Sequence, residues 1–108
     1  MENVNLATTN RYTLHTLNGC MHPPDGQGPT ESGTVVSTDC FNQTNGDEGC
    51  IVQDSSTNSY GPGFAANGGG VFATLWDDQG IRIWFFERAN IPADVPTENP
   101  NPDGWGTP

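Results

Sequence analysis

Hydrophobic and polar positions alternate in only a few short stretches of this chain, and each stretch predicts a strand. Arg11-Tyr12-Thr13-Leu14-His15-Thr16 has the period of a half-buried strand, with Tyr12 and Leu14 on one side and Arg11, Thr13 and His15 on the other. Thr34-Val35-Val36 and Ile51-Val52-Gln53 are shorter candidates. The strongest pattern is Gly70-Val-Phe-Ala-Thr-Leu-Trp76 followed by Ile81-Arg-Ile-Trp-Phe-Phe86, joined by Asp77-Asp78-Gln79-Gly80. This predicts a hairpin with a four-residue loop ending on a left-handed Gly80. One face is expected to carry Val71, Ala73 and Leu75 with Ile81, Ile83 and Phe85. The other is expected to carry Phe72, Thr74 and Trp76 with Arg82, Trp84 and Phe86. Both faces are apolar, so both need cover, as in the middle of a sandwich. Ser59-Tyr60-Gly61-Pro62-Gly63-Phe64 reads as turn, Ile91 onward as proline-rich extended chain, and no stretch reads as an amphipathic helix. The predicted class is all-β.

Composition narrows what such a chain can do. Hydrophobic residues, glycine not counted, make up 32% of the 108, with 14 glycines and 9 prolines beside them, which predicts a small core in a loop-rich chain. Thirteen Asp and Glu face three arginines and no lysine, for a net charge of −10. Phosphate backbones and anionic membrane surfaces both require clustered positive charge, so nucleic acid and membrane are excluded as partners. No apolar run approaches the ~20 residues of a bilayer span.

Cys20, Cys40 and Cys50 have nineteen and then nine residues between them, which is no zinc spacing. No metal and no cofactor are expected. Three cysteines allow three pairings; Cys40 with Cys50 is the one expected here, closing a small loop and stabilising it by ~2–3 kcal/mol. With the sequon Asn42-Gln43-Thr44, the cysteines suggest an oxidising, extracellular setting and a glycan on Asn42. Met1-Glu-Asn-Val-Asn shows neither the basic segment nor the apolar run of an export signal.

Six segments, in order along the chain, carry a resemblance: Glu2-Asn3-Val4-Asn5, Thr13-Leu14-His15-Thr16, Ser59-Tyr60-Gly61-Pro62-Gly63-Phe64, Asn67-Gly68-Gly69-Gly70-Val71, Ile83-Trp84-Phe85-Phe86 and Trp105-Gly106-Thr107-Pro108. Together they resemble the fungal branch of glycoside hydrolase family 16, the laminarinase-like endo-β-1,3(4)-glucanases. The resemblance implies a concanavalin A-like β-jelly-roll whose concave sheet holds β-glucan. It also implies that residues 1–108 are one partial catalytic domain, beginning at the end of the catalytic strand. The family is monomeric; a fragment with uncovered sheet faces is expected to be marginally stable or to associate.

The family's catalytic strand carries E-[ILV]-D-[ILV]-[ILV]-E, usually followed by G-V-N. The first Glu is the nucleophile, the Asp assists, and the second Glu is the general acid/base. A retaining mechanism needs its two carboxyls only ~5–5.5 Å apart, one attacking while the other protonates the leaving oxygen. Glu2 falls at the second Glu, with Asn3 in place of the usual glycine, and the resemblance makes it the acid/base. Met1 stands directly before it, so the chain alone is expected to be inactive. The alternative is a non-catalytic or degenerate member that binds β-glucan without hydrolysing it.

The resemblance also places His15 on the strand after the catalytic one, facing the groove, where an imidazole would hydrogen-bond a glucose hydroxyl. Arg11 and Thr13 share its face. Arg82 is a candidate donor at the groove edge. Trp84 and Trp76 are candidate stacking platforms, although tryptophans on sandwich strands more often belong to the core. Trp105 reads as a loop anchor. Asp25, Glu31, Asp39, Asp47 and Glu48 have no calcium-loop spacing and read as solvated surface.

Overall fold

The computed structural model describes residues 7–108; Glu2 and the tail that follows it lie outside them. The described chain falls into two compact units, Thr9–Ser56 and Thr57–Pro108, the latter joined by Ala7 and Thr8. Each holds one antiparallel sheet.

The first unit is built on β1 (Arg11–Leu14), β2 (Thr34–Ser37) and β3 (Cys50–Gln53), in the order β1-β3-β2. β3 is central and is the most buried, with Cys50 and Ile51 both inside. Arg11 pairs with Gln53 and Leu14 with Cys50. The β2 register slips between Val35 and Ser37, a bulge that leaves Val36 46% exposed. Leu14 was expected to be covered with Tyr12 but is 39% exposed, because β1 is an edge strand of a unit with few apolar residues to lay over it. The long connection between β1 and β2 is not free. Thr16 bridges Phe41, and Met21 bridges Asp39, so it is tied to the segment leading into the Cys40–Cys50 disulfide.

The second unit is a helix, a hairpin and a tail. α1 (Gly61–Ala66) forms where the sequence predicted only turn. Six residues are too few to show an amphipathic period. Its ends are nevertheless well specified: Pro62 stands in the first turn, where its missing N–H costs nothing. At the other end Gly68, at φ +75°, closes a Schellman motif. Its N–H donates to Ala65 at 3.1 Å, and the Gly69 N–H donates to Phe64 at 2.8 Å.

β4 (Gly70–Asp77) and β5 (Gly80–Glu87) pair over their full lengths. The turn has two residues, not four: Asp77 pairs with Gly80, and the Asp77 carboxylate accepts the Gln79 N–H at 2.9 Å. The expected grouping of faces is also corrected. Alternation assigns faces within each strand, but a turn with an even number of residues sets odd positions opposite even ones. Val71, Ala73 and Leu75 therefore share a face with Phe86, Trp84 and Arg82, while Phe72, Thr74 and Trp76 share the other with Phe85, Ile83 and Ile81.

Each face has its own cover. Phe64 of α1 meets Phe72 and Phe85, both at 6.2 Å between ring centroids, and those two lie 5.0 Å apart with their planes tilted by 35°. Trp105, from the tail, stands edge-on to Trp84 at 5.3 Å and to Phe86 at 5.8 Å. The Phe64 side covers only the inner half of its face, leaving Trp76 80% and Ile81 43% exposed toward the turn.

Candidate functional site

His15 follows β1 directly and is exposed, as are Arg11 and Thr13. What fixes the strand beneath them is Tyr12. Its hydroxyl donates to Asp54 at 2.6 Å. Burial first, and the Asp54 carboxylate second, hold the phenol above its ordinary range, so it stays a donor. Asp54 in turn accepts the Ser56 N–H at 2.7 Å, and its own N–H donates to Asn10 at 2.9 Å. Arg11 Nε donates to Gln53 across the ladder at 3.1 Å, which commits it to a neighbour.

The His15 ring is held from one side. Nδ1 lies 3.1 Å from Asp47 Oδ1. A carboxylate only accepts, so Nδ1 carries the hydrogen, and in the neutral tautomer this selects the lone pair sits on Nε2. Asp47 belongs to the loop between Cys40 and Cys50, whose disulfide joins residues separated by 10 in sequence. Cys50 pairs with Leu14, so the loop and His15 share one ladder. The sequence reading placed Asp47 among solvated acids; its signal was the adjoining Asn45-Gly46, a turn pair that delivers the next side chain in a defined direction.

Arg82 and Trp84 lie in the second unit, on the same face of β5. Arg82 forms an ion pair with Asp77 at the hairpin turn. Trp84 is 5% exposed, and its indole N–H donates to Gly106 at 2.9 Å. With Trp105 edge-on against it, Trp84 is part of the core of its unit, and it offers no open face for a sugar. Trp76, at 80% exposure, is the tryptophan with an open ring. Trp105 is an anchor: its indole N–H donates to Asp94 Oδ2 at 2.8 Å, and the same oxygen accepts the Asn101 N–H at 2.8 Å. These two donors, the backbone one first, hold the Asp94 carboxyl below its usual range.

Cys20 is an exposed free thiol, and Asn42 is exposed, its N–H donating to Thr16 at 3.0 Å. His22 donates from Nδ1 to the Pro23 carbonyl at 2.7 Å. Among the described residues no three His, Cys, Asp or Glu side chains converge as metal ligands, and no helix is long and apolar enough to cross a membrane.

Two antiparallel sheets and one short α-helix put the described chain in the class of predominantly antiparallel β-proteins. The comparisons with known proteins place it within that class. Residues 1–108 match the family described as the XgeA-like, catalytic glycoside hydrolase family 16 domain. The chain is 45% identical over 112 residues to an endo-1,3(4)-β-glucanase of Arthroderma benhamiae, covering all of this chain and 24% of that protein. It is 42% identical to a probable glycosidase of Schizosaccharomyces pombe, covering 26% of that protein. Its structure superposes on Laminarinase 16A from Phanerochaete chrysosporium, solved with 6-O-glucosyl-laminaritriose in donor and acceptor sites. The TM-score there is 0.86 at 39% identity, covering 97% of this chain and 36% of that one. A glycoside hydrolase family 16 β-1,3-glucosyltransferase superposes with a TM-score of 0.85 at 37% identity. The chain belongs to glycoside hydrolase family 16, with the family's jelly-roll as its fold. It spans about a quarter of the length of these two curated relatives.

Proposed function

We propose that this chain is a segment of a secreted β-glucan hydrolase of the endo-β-1,3(4)-glucanase type, and that it contributes part of the substrate groove. The observation that carries this reading is the match of all 108 residues to a catalytic family 16 domain, together with a superposition on a laminarinase that holds β-glucan. Glu2 is the general acid/base on the family pattern. Binding of β-glucan oligosaccharides is the discriminating test. His15 is the substrate-contacting residue we favour, because its imidazole is exposed, oriented and has Nε2 free. A sequon on an exposed turn and a disulfide support export.

Titration of the chain with laminari-oligosaccharides, followed by NMR, tests the proposal. Shifts concentrated on β1 and His15 support it; no saturable shifts with either laminari- or mixed-linkage oligosaccharides refute it. Two of the structural neighbours are a laminarinase and an elongating β-1,3-glucosyltransferase, so shortening and lengthening of the glucan are the two outcomes to separate. Product lengths from the whole domain acting on laminarin separate these outcomes.

A further inference from the structure

We propose that Asp47 is a positioning residue for His15: it fixes the proton on Nδ1 and thereby presents Nε2 as an oriented acceptor for a glucan hydroxyl. This rests on the reading of the chain as a β-glucan-binding segment.

The loop that delivers Asp47 has a shape that its stabilising contacts do not explain. Asn45, Gly46 and Asp47 occupy the left-handed region one after another, at φ +52°, +72° and +67°. Two of the three are not glycine, and side-chain-bearing residues adopt this region at a cost in free energy. The Asp47 N–H donates to Thr44 at 3.1 Å, which closes the turn. The ion pair formed in return is open to water, with His15 43% and Asp47 67% exposed. Pairs this open contribute little to stability. The strain is therefore not offset at the contact itself, and what the contact does achieve is a single ring orientation.

Two further features press the loop against the same ring. Gly49 is left-handed at φ +71°, and a Cβ there would stand 2.6 Å from the Leu14 carbonyl and 3.0 Å from His15 Nδ1. Glycine is thus required where the loop passes the imidazole. The Cys40–Cys50 disulfide then ties the loop to β3, which pairs with the strand that ends just before His15. Nε2 has no hydrogen-bond partner among the described residues, so it is the nitrogen left for a ligand. A ring free to flip would offer either nitrogen, in either tautomer; this one offers a single lone pair in a set direction.

The test is long-range ¹H–¹⁵N NMR of His15 in the 108-residue chain, paired with laminaritetraose titration. Asp47→Gly removes the carboxylate yet keeps the left-handed backbone, and Asp47→Asn keeps an acceptor oxygen of the same reach. The native chain and Asp47→Asn are expected to show the Nδ1–H tautomer, and Asp47→Gly a mixture. His15→Ala is expected to weaken binding about tenfold, Asp47→Gly about threefold to tenfold, and the double variant no more than His15→Ala. A merely structural loop moves neither tautomer nor coupling. An Nε2–H tautomer in the native chain overturns the positioning role whatever the binding result. So does Asp47→Gly that binds as the native chain does while His15→Ala does not. Binding untouched by His15→Ala, or absent from the native chain, overturns the underlying functional reading and this proposal with it.

Discussion

Replacing Trp105 by alanine is expected to unseat one face of the β4–β5 hairpin. Trp105 supplies the ring that stands edge-on to both Trp84 and Phe86, at 5.3 Å and 5.8 Å. Edge-to-face pairs are each worth ~0.5–1.5 kcal/mol beyond the area they bury, so losing two removes ~1–3 kcal/mol. Truncating a fully buried tryptophan costs ~3–5 kcal/mol; Trp105 is only half-buried, which points to a value at or below the bottom of that span. An expected loss of about 2–3 kcal/mol is a large fraction of a small domain's stability. The damage spreads, because the Trp84 indole N–H donates to Gly106, the residue beside Trp105. Trp105→Phe keeps a ring against both partners and loses only the indole N–H to Asp94, so it is expected to cost clearly less. Urea unfolding followed by far-UV circular dichroism measures both variants, with an unchanged m value showing that stability alone has moved. In a Trp76→Phe background, where Trp84 is the tryptophan left in both variants, acrylamide quenching reports its exposure in the folded state. A Trp105→Ala loss under about 1 kcal/mol refutes the anchoring role. A Trp105→Phe loss equal to it shows that the hydrogen bond, not the ring, holds the tail.

Three further outcomes are expected. The Asp94 carboxyl sits below its usual range in the folded chain, so its contribution is present above the unfolded value and is lost as pH falls through the folded one. The Trp105 indole N–H resonance should shift across that acidic interval and cease to do so in Asp94→Asn. Replacing Cys40 and Cys50 together by alanine opens a loop whose ends are separated by 10 in sequence and is expected to cost about 3 kcal/mol in urea unfolding. A loss below ~1 kcal/mol would show that the loop is held by its backbone bonds to Thr16 instead. Gly49→Ala forces a side chain into a left-handed position against Leu14 and His15. It is expected to lose more than ~1–2 kcal/mol and to break the His15–Asp47 bond, seen as loss of the Nδ1–H signal.

The strands were legible because their signals are local. All five observed strands lie where alternation or an apolar run placed them, since a pleated backbone imposes its period whatever the rest of the chain does. Cross-strand grouping on the hairpin was lost for a different reason. It depends on turn parity, which one sequence states only through the turn residues Asp77-Asp78-Gln79-Gly80. Helix α1 was missed because six residues carry no period, although Pro62 and Gly68 mark both of its ends. The site shows the same division. His15 was visible by its place at the end of the β1 alternation, and its partner was not. Asp47 is an exposed acid in a chain of many acids, and no count of carboxylates separates it from Asp25 or Glu48. What separates it is backbone conformation: a left-handed run, a glycine that must be a glycine and a disulfide that closes the loop. Each of these leaves a residue-level trace, in Asn45-Gly46, in Gly49 and in Cys40 with Cys50. The traces become a site only when the loop is folded back on the strand. The acidity of the chain is thus not uniform in meaning. Most of its carboxylates are solvent-facing charge, while Asp54, Asp94 and Asp47 each hold one aromatic or imidazole ring in place. In a chain with so small a core, such polar tethers orient rings that in a larger domain packing alone would hold.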